Sequence, residues 1–464
     1  MFRSIFNTFS NCFKIPELKS RIGFTLLILA ICRLASIVRI PGLDGAALQA
    51  YFDANAAKGG GGMLGMVSTF TGGALEHCAV GALGIMPYIS ATIIIQLLTA
   101  VVPSLSKMAR EEGGRAKIIQ YGRYLTVLLC LGWGIATALS WENPSTVFSG
   151  FTGVLVSPDM NIWWYRIQTV LILTTGTMLL MWLGEQITER GIGNGISLVI
   201  TIGILARLPM AGQALIDMFW PGGGLESQYH IFGIGIVLVL LLVGVIAGVV
   251  AVTQAQRKIP VQYAQRAVGR KIMSGGTSFM PLRVNYAGVM PVIFASSILM
   301  FPQWIFKALS TVKSPGWASL ARHAEQAMDY GSPLYLTVYG LMILFFSYFW
   351  VATQFNELQI ADDLKKNGGY VPGVRPGQAT SDYLHNAMSR ITLAGAIFLT
   401  IIAVIPIILN RAMQVPQAVA QFFGGTSMLI MVGVLLDTMR QMEAHLLMRN
   451  YDGFLKKGRV RGRF

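Results

Sequence analysis

Charge is what this sequence has least of. Only 12% of the 464 residues are Asp, Glu, Lys or Arg, while 54% are apolar and the mean hydropathy is +0.58. That leaves too little polar surface to coat a soluble globule of this size, so a bilayer is the expected solvent. Cysteine is scarce as well. Cys12, Cys32, Cys78 and Cys130 share no metal-like spacing and fall at different expected depths, which supports neither a zinc site nor a disulfide framework and leaves small apolar fillers. The five histidines form no HExxH or comparable array, and no nucleophile, base and orienter arrangement appears, so an enzyme reading is weak and no cofactor is expected. Ionisable residues are nearly missing from the apolar runs. Arg33 lies inside the first and can snorkel toward an interface, and Asp437 sits near the end of the last. A secondary transporter of a small solute, coupled to protons or sodium, keeps such groups near the membrane midplane, and no good candidate stands there.

What the sequence has is long apolar runs, many near the ~20 residues that a helix needs to cross a hydrocarbon core. The first, Gly23 to Ile31, is flanked by Arg21 and Arg33 and lacks a small-residue cleavage site, so it reads as a retained span. Ten spans are expected: 22–37, 79–102, 118–139, 162–183, 192–208, 231–252, 287–306, 334–352, 391–409 and 422–439. Of the 36 Lys and Arg, 27 fall in loops on the side of the N-terminus and eight on the other, with Arg33 left inside span one. Cytoplasmic loops carry the basic excess, so both termini are expected in the cytoplasm.

Residues 253–285 hold six basic residues and no acid. They read either as a topogenic loop or as a docking surface for something anionic, RNA phosphates or an acidic protein face. Lys58 to Gly62 spells KGGGG, followed by MLGMVSTF (Met63 to Phe70) and the Gly72-Gly73 hinge. Eight residues cannot span, so this piece is either a re-entrant element buried in protein or a loop helix on the outer face. Proline and glycine interrupt the spans in GIMPYIS (84–90), GIGNGIS (191–197) and AGVMPVIFASS (287–297), and helices broken this way need protein or water partners. Isoleucine follows each break. It is stiff at its first torsion and carries no polar atom, so these residues form either a dry collar around a narrow opening or ordinary core and lipid-facing surface. The polar residues of the spans, Ser90, Thr92, Gln96, Asn194, Ser197, Ser296 and Ser297, are of the kind that join helices.

From about Ile15 to the tail the sequence resembles the SecY family of bacterial Sec translocon channels. The resemblance is carried by IPGLDG (40–45), GGALEHCAVGALGIMPYISATIIIQLL (72–98), GEQITERGIGNGIS (184–197), RKIPVQYAQR (257–266), PLRVNYAGVMPVIFASS (281–297), ADDLKKNGGYVPGVRPG (361–377) and FGGTSMLI (423–430). It implies an all-α polytopic membrane protein of about ten transmembrane helices in two inverted five-helix halves, with a re-entrant plug helix. The parts would be a cytoplasmic segment 1–21, a first half 22–208 with the plug at 63–77, an external hinge loop 209–230, a second half 231–439 with cytoplasmic loops 253–285 and 355–390, and a basic tail 440–464.

Carried over residue by residue, the family's pore ring falls on Ile85, Ile89, Ile196, Ile200, Ile293 and Ile430. Its plug falls on Met63, Leu64, Met66, Val67, Phe70 and Leu75. The lateral gate is matched by Ser90, Gln96, Ser297 and Phe301, and partner docking by Arg257, Arg266, Arg270 and Arg375. The implied function is a gated channel that passes unfolded polypeptides and releases apolar segments sideways into lipid. Its implied partners are small membrane subunits resembling SecE and SecG, a motor ATPase resembling SecA, the ribosome, signal sequences and nascent chains, and membrane lipids. The sequence departs from the family in its less uniformly basic RKIPVQYAQR and in the glycine run before the plug.

Overall fold

Helix boundaries fall where glycine and proline put them. The computed structural model describes residues 15–57, 68–111, 113–144, 151, 153–158, 160–219, 226–263, 266–268, 271–273, 276–310, 323–324, 326–328, 331–413, 419 and 426–457. A helix stands at each of the ten expected spans. They are α1 (Pro16–Ile37), α3 (Met86–Val101), α5 (Gly114–Glu142), α6 (Ile162–Arg190), α7 (Gly195–Leu205), α9 (Glu226–Gln254), α10 (Met290–Ser310), α11 (Pro333–Gln354), α13 (Gln378–Met413) and α14 (Thr426–Lys457). Between them lie α2 (Gly45–Ala57), α4 (Pro103–Arg110), α8 (Leu208–Phe219) and α12 (Glu357–Lys366).

Three spans begin later than hydropathy suggests, because Gly84, Gly193 and Gly288 take left-handed backbone at φ +59°, +90° and +63° just ahead of α3, α7 and α10. Others run on into polar sequence where no breaker stops them, as α14 does to Lys457. Among the described residues, seven stretches are long and apolar enough to cross a membrane alone. The α3 helix is not one of them: its 16 residues rise about 24 Å, and at Pro103 the chain bends by 103° into α4.

The chain folds into two compact units. The first comprises 1–222, 416–422 and 430–464. In it α5 and α6 lie antiparallel, pinned at one end by Arg123–Glu185 (2.7 Å) and at the other by Arg166–Glu142 (2.9 Å). Trp163 and Trp164 are exposed beside the second pair, where an interfacial aromatic belt belongs. The second unit comprises 223–415 and 423–429. There α10 and α11 meet through Phe294, edge-on to Phe346 and to Trp350 at centroid distances of 5.9 and 5.4 Å.

Hydropathy does not reveal the sheet in the second unit. Strand β1 (Gln256–Tyr263) pairs antiparallel with β4 (Thr277–Arg283), and its far end pairs with β5 (Gly369–Tyr370), giving the order β4-β1-β5. Pro260 is tolerated because β5 reaches only Gln262 and Tyr263, so β1 is an edge at the proline. Between them β2 (Arg266–Val268) and β3 (Lys271–Met273) form a short hairpin. Ile259 and Leu282 point from the sheet into a core with Val351, Phe355, Val371, Leu384, Ala387 and Met388. Loops 253–285 and 355–390 therefore share one packed body.

Candidate functional site

Each expected ring residue sits at or near a helix start, and burial follows from how that start is made. Ile85 is the N-cap of α3 and its carbonyl accepts from Ile89 N at 3.1 Å, so the two stack one turn apart. Ile85, Ile89 and Ile200 are 3–5% exposed, and Ile196 is half-buried in the first turn of α7. That helix is set by a dense turn: Asn194 Oδ1 caps Ser197 N, Thr188 Oγ1 accepts from Gly195 N, and Thr25 Oγ1 accepts from Ile192 N. Gln441 of α14 accepts from Gly193 N at 2.8 Å. Ile430 lies about three turns earlier on the same face of α14 and is wholly buried. Ile85, Ile200 and Phe70 line one small cavity of about 20 Å³ with Arg33, Leu180 and Gly203, room for about a single water.

In the second unit Ile293 is 1% exposed, and its carbonyl accepts from the hydroxyls of Ser296 and Ser297. The arrangement around it repeats that around Ile89. Gly84-Ile-Met-Pro-Tyr-Ile89 and Gly288-Val-Met-Pro-Val-Ile293 each run from a left-handed glycine to a helix opening at Met, with the buried isoleucine fourth in the helix. This internal repeat was present in the sequence as two matching strings 204 positions apart, and it is the signal that reading for hydropathy passes over.

Of the plug residues, Phe70 and Leu75 are buried, while Met63, Leu64, Met66 and Val67 lie outside the described residues. Residues 68–79 wind into tight turns, with Gly73 N donating to Ser68 O at 2.9 Å and Ala79 N to Ala74 O at 2.9 Å. The segment passes so close to α7 that a Cβ on Gly72 would stand 2.8 Å from Gly203 Cα. Arg33 does not snorkel. Its Nη1 turns inward and donates to the Gly72 carbonyl at 3.1 Å. Two further residues were not singled out from sequence: Glu76, buried and paired with Arg207 at the end of α7.

Of the gate residues, Ser90 and Gln96 are on α3, and Ser297 and Phe301 on α10. Ser90 Oγ and Gln96 Oε1 are buried atoms with no hydrogen-bond partner among the described residues. Of the docking residues, Arg257 is exposed on β1, Arg266 lies in β2, and Arg270 lies outside the described residues. Arg375 is exposed in a turn between Gly373 (φ +83°) and Gly377 (φ +101°), where its carbonyl accepts from Thr380 Oγ1. Because Ile259 and Val371 share a core, Arg257 and Arg375 are carried by segments of the same packed body.

The SecY family model matches residues 79–439, well over half the chain, and so covers every isoleucine expected in the ring. The chain belongs to the SecY family. A protein translocase subunit SecY from Chlamydia trachomatis is 43% identical over 98% of this chain and 99% of its own. A solved structure of a protein conducting channel matches over 92% of both chains with a TM-score of 0.58 and 19% identity. The channel of a canine ribosome-channel complex from the endoplasmic reticulum matches over 92% of both with a TM-score of 0.55 and 18% identity. The SecY fold, a helical protein crossing the membrane many times, is thus shared well beyond the range of close sequence similarity.

Proposed function

We propose that the chain is the central subunit of a Sec translocase in the plasma membrane, with both termini cytoplasmic, and that it forms a gated channel for unfolded polypeptides. Two halves, 22–208 and 231–439, joined by the external segment 209–230, would enclose the path. The observation that carries this reading is the repeated Gly-x-Met-Pro helix start, which buries Ile89 in one unit and Ile293 in the other. With Ile85, Ile196, Ile200 and Ile430 these form a collar of stiff apolar side chains, which resists wetting yet yields to a passing chain. Residues 63–77 are the plug behind it.

The helices α3 and α10 are the lateral gate. Buried oxygens on Ser90 and Gln96 without a partner among the described residues make α3 less costly to separate from its neighbours than a dry apolar helix. An apolar segment of the passenger then leaves for lipid, driven by about 25 cal/mol per Å² of apolar surface removed from water. The chain does no chemistry in this scheme. A motor resembling SecA or a translating ribosome supplies the energy, docking on the exposed Arg257 and Arg375, and small subunits resembling SecE and SecG complete the assembly. The test is ion flux through reconstituted channels in which Ile85, Ile196 and Ile293 are all changed to Ser. Flux is expected to rise well above that of the unaltered channel, and unchanged flux overturns the collar.

A further inference from the structure

Glu76, buried, and Arg207, half-buried, are charges to which the channel reading assigns no role. Glu76 is 5% exposed, its carboxylate pairs with Arg207, and its Oε1 accepts from the Ser68 hydroxyl at 2.7 Å. Arg207 Nη2 donates to Ser68 Oγ at 2.6 Å, and Ser68 is fully buried. The Arg207 Nε is buried without a hydrogen-bond partner among the described residues. A Cβ added to Gly73, at φ +87°, would stand 3.6 Å from Arg207 Nη2 and 3.9 Å from Glu76 Oε2, and Arg33 of α1 donates to the preceding carbonyl, that of Gly72. One short segment is thus tied to α1 and to the end of α7 by polar contacts in addition to its close packing on Gly203.

An apolar pair of similar volume would hold residues 68–77 at least as firmly, because the desolvation of two charges offsets much of their attraction. Stability therefore does not explain the choice. What a charge pair adds is a second acceptable state: if the segment lifts, water re-solvates both groups, whereas a separated apolar pair only loses. We propose that Glu76, Arg207 and Ser68 form a charge clasp, which holds residues 68–77 against the end of α7 in the resting channel and opens before a polypeptide passes. The clasp rests on the channel reading above and adds to it the residues that set the opening threshold.

The experiment compares the unaltered protein with Glu76→Gln, Arg207→Gln, the reversed pair Glu76→Arg with Arg207→Glu, and the apolar pair Glu76→Leu with Arg207→Met. Each is reconstituted in vesicles for resting ion flux and, with its motor, for translocation of a secretory polypeptide. Each single neutralisation is expected to raise resting flux about tenfold, the scale of one charge-assisted hydrogen bond. The reversed pair is expected to return it to within about twofold of the unaltered channel. The apolar pair is expected to stay sealed and translocate about tenfold more slowly. If a single variant fails to accumulate, the two double variants carry the test. Equal flux and equal translocation throughout overturn the clasp, and the channel reading survives provided the unaltered protein translocates. A protein that passes polypeptide under no condition overturns the channel reading itself.

Discussion

Glycine does two jobs in this chain, and single substitutions separate them. At Gly195 an added Cβ would stand 1.9 Å from Gly184 O, and at Gly176 it would stand 2.1 Å from Val80 O. Backbone cannot give way cheaply, so Gly195→Ala and Gly176→Ala should each lose about 1–3 kcal/mol. Gly132, exposed on α5 with nothing within 4 Å of the added atom, should instead gain about 0.5–1 kcal/mol as Ala. Thermal unfolding of the detergent-solubilised variants checks both signs, and a neutral Gly195→Ala would mean that α6 and α7 are less closely apposed than described. The sequence marked 191–195 as a break but hid the close contact, since nothing local says which carbonyl a glycine must admit. The same blindness covers the clasp. Ser68 and Arg207 are 139 residues apart, and only the folded chain joins them. The breaks at 84–90, 191–197 and 287–297 were legible for the opposite reason, since Gly and Pro mark them locally, whereas the grouping of their isoleucines with Ile430 came from the resemblance alone.

Among the elements, the sheet formed by loops 253–285 and 355–390 is held by a core built from five stretches of chain. Leu384 is wholly buried there, and Leu384→Ala should cost about 2–5 kcal/mol of that body's stability. Amide hydrogens of β1 and β4 should then exchange faster while those of α5 and α6 do not change, and uniform acceleration would refute the separate body. Arg375→Glu makes the complementary prediction. The side chain is exposed, so exchange in the sheet should stay the same while translocation falls, and normal translocation would end the docking assignment. Strand β1 could have been read from Ile259 and Val261, which alternate with exposed neighbours, but Pro260 between them argues against a strand until its edge position is known. Two-residue β5, more than a hundred positions on, leaves no pattern to read. The ten helices were legible because hydropathy needs no partner to be seen, though it gave their apolar stretches rather than their ends.

For the whole molecule the claim to test is orientation. The basic residues divide 27 to eight between the two sides, and cytoplasmic loops carry that excess. The structure adds a constraint on α5 and α6: the Arg123–Glu185 and Arg166–Glu142 pairs mark opposite ends of one antiparallel pair, so whichever side holds the first excludes the second. Two exposed reporters then decide. Lys258, on β1, should face the cytoplasm, and Asn143, just past Glu142, should face outward. Cys32, Cys78 and Cys130 are buried, so with Cys12 replaced by Ser the only thiol open to reagent is the one introduced. In intact spheroplasts a membrane-impermeant maleimide should label Asn143→Cys and spare Lys258→Cys until the membrane is opened. The reverse pattern would place the sheet and Arg375 outside, away from any cytoplasmic motor or ribosome, and the polypeptide path would lose its source of energy. Labelling of both from outside would instead mean an odd number of crossings between residues 143 and 258 is wrong, and with it the count of ten.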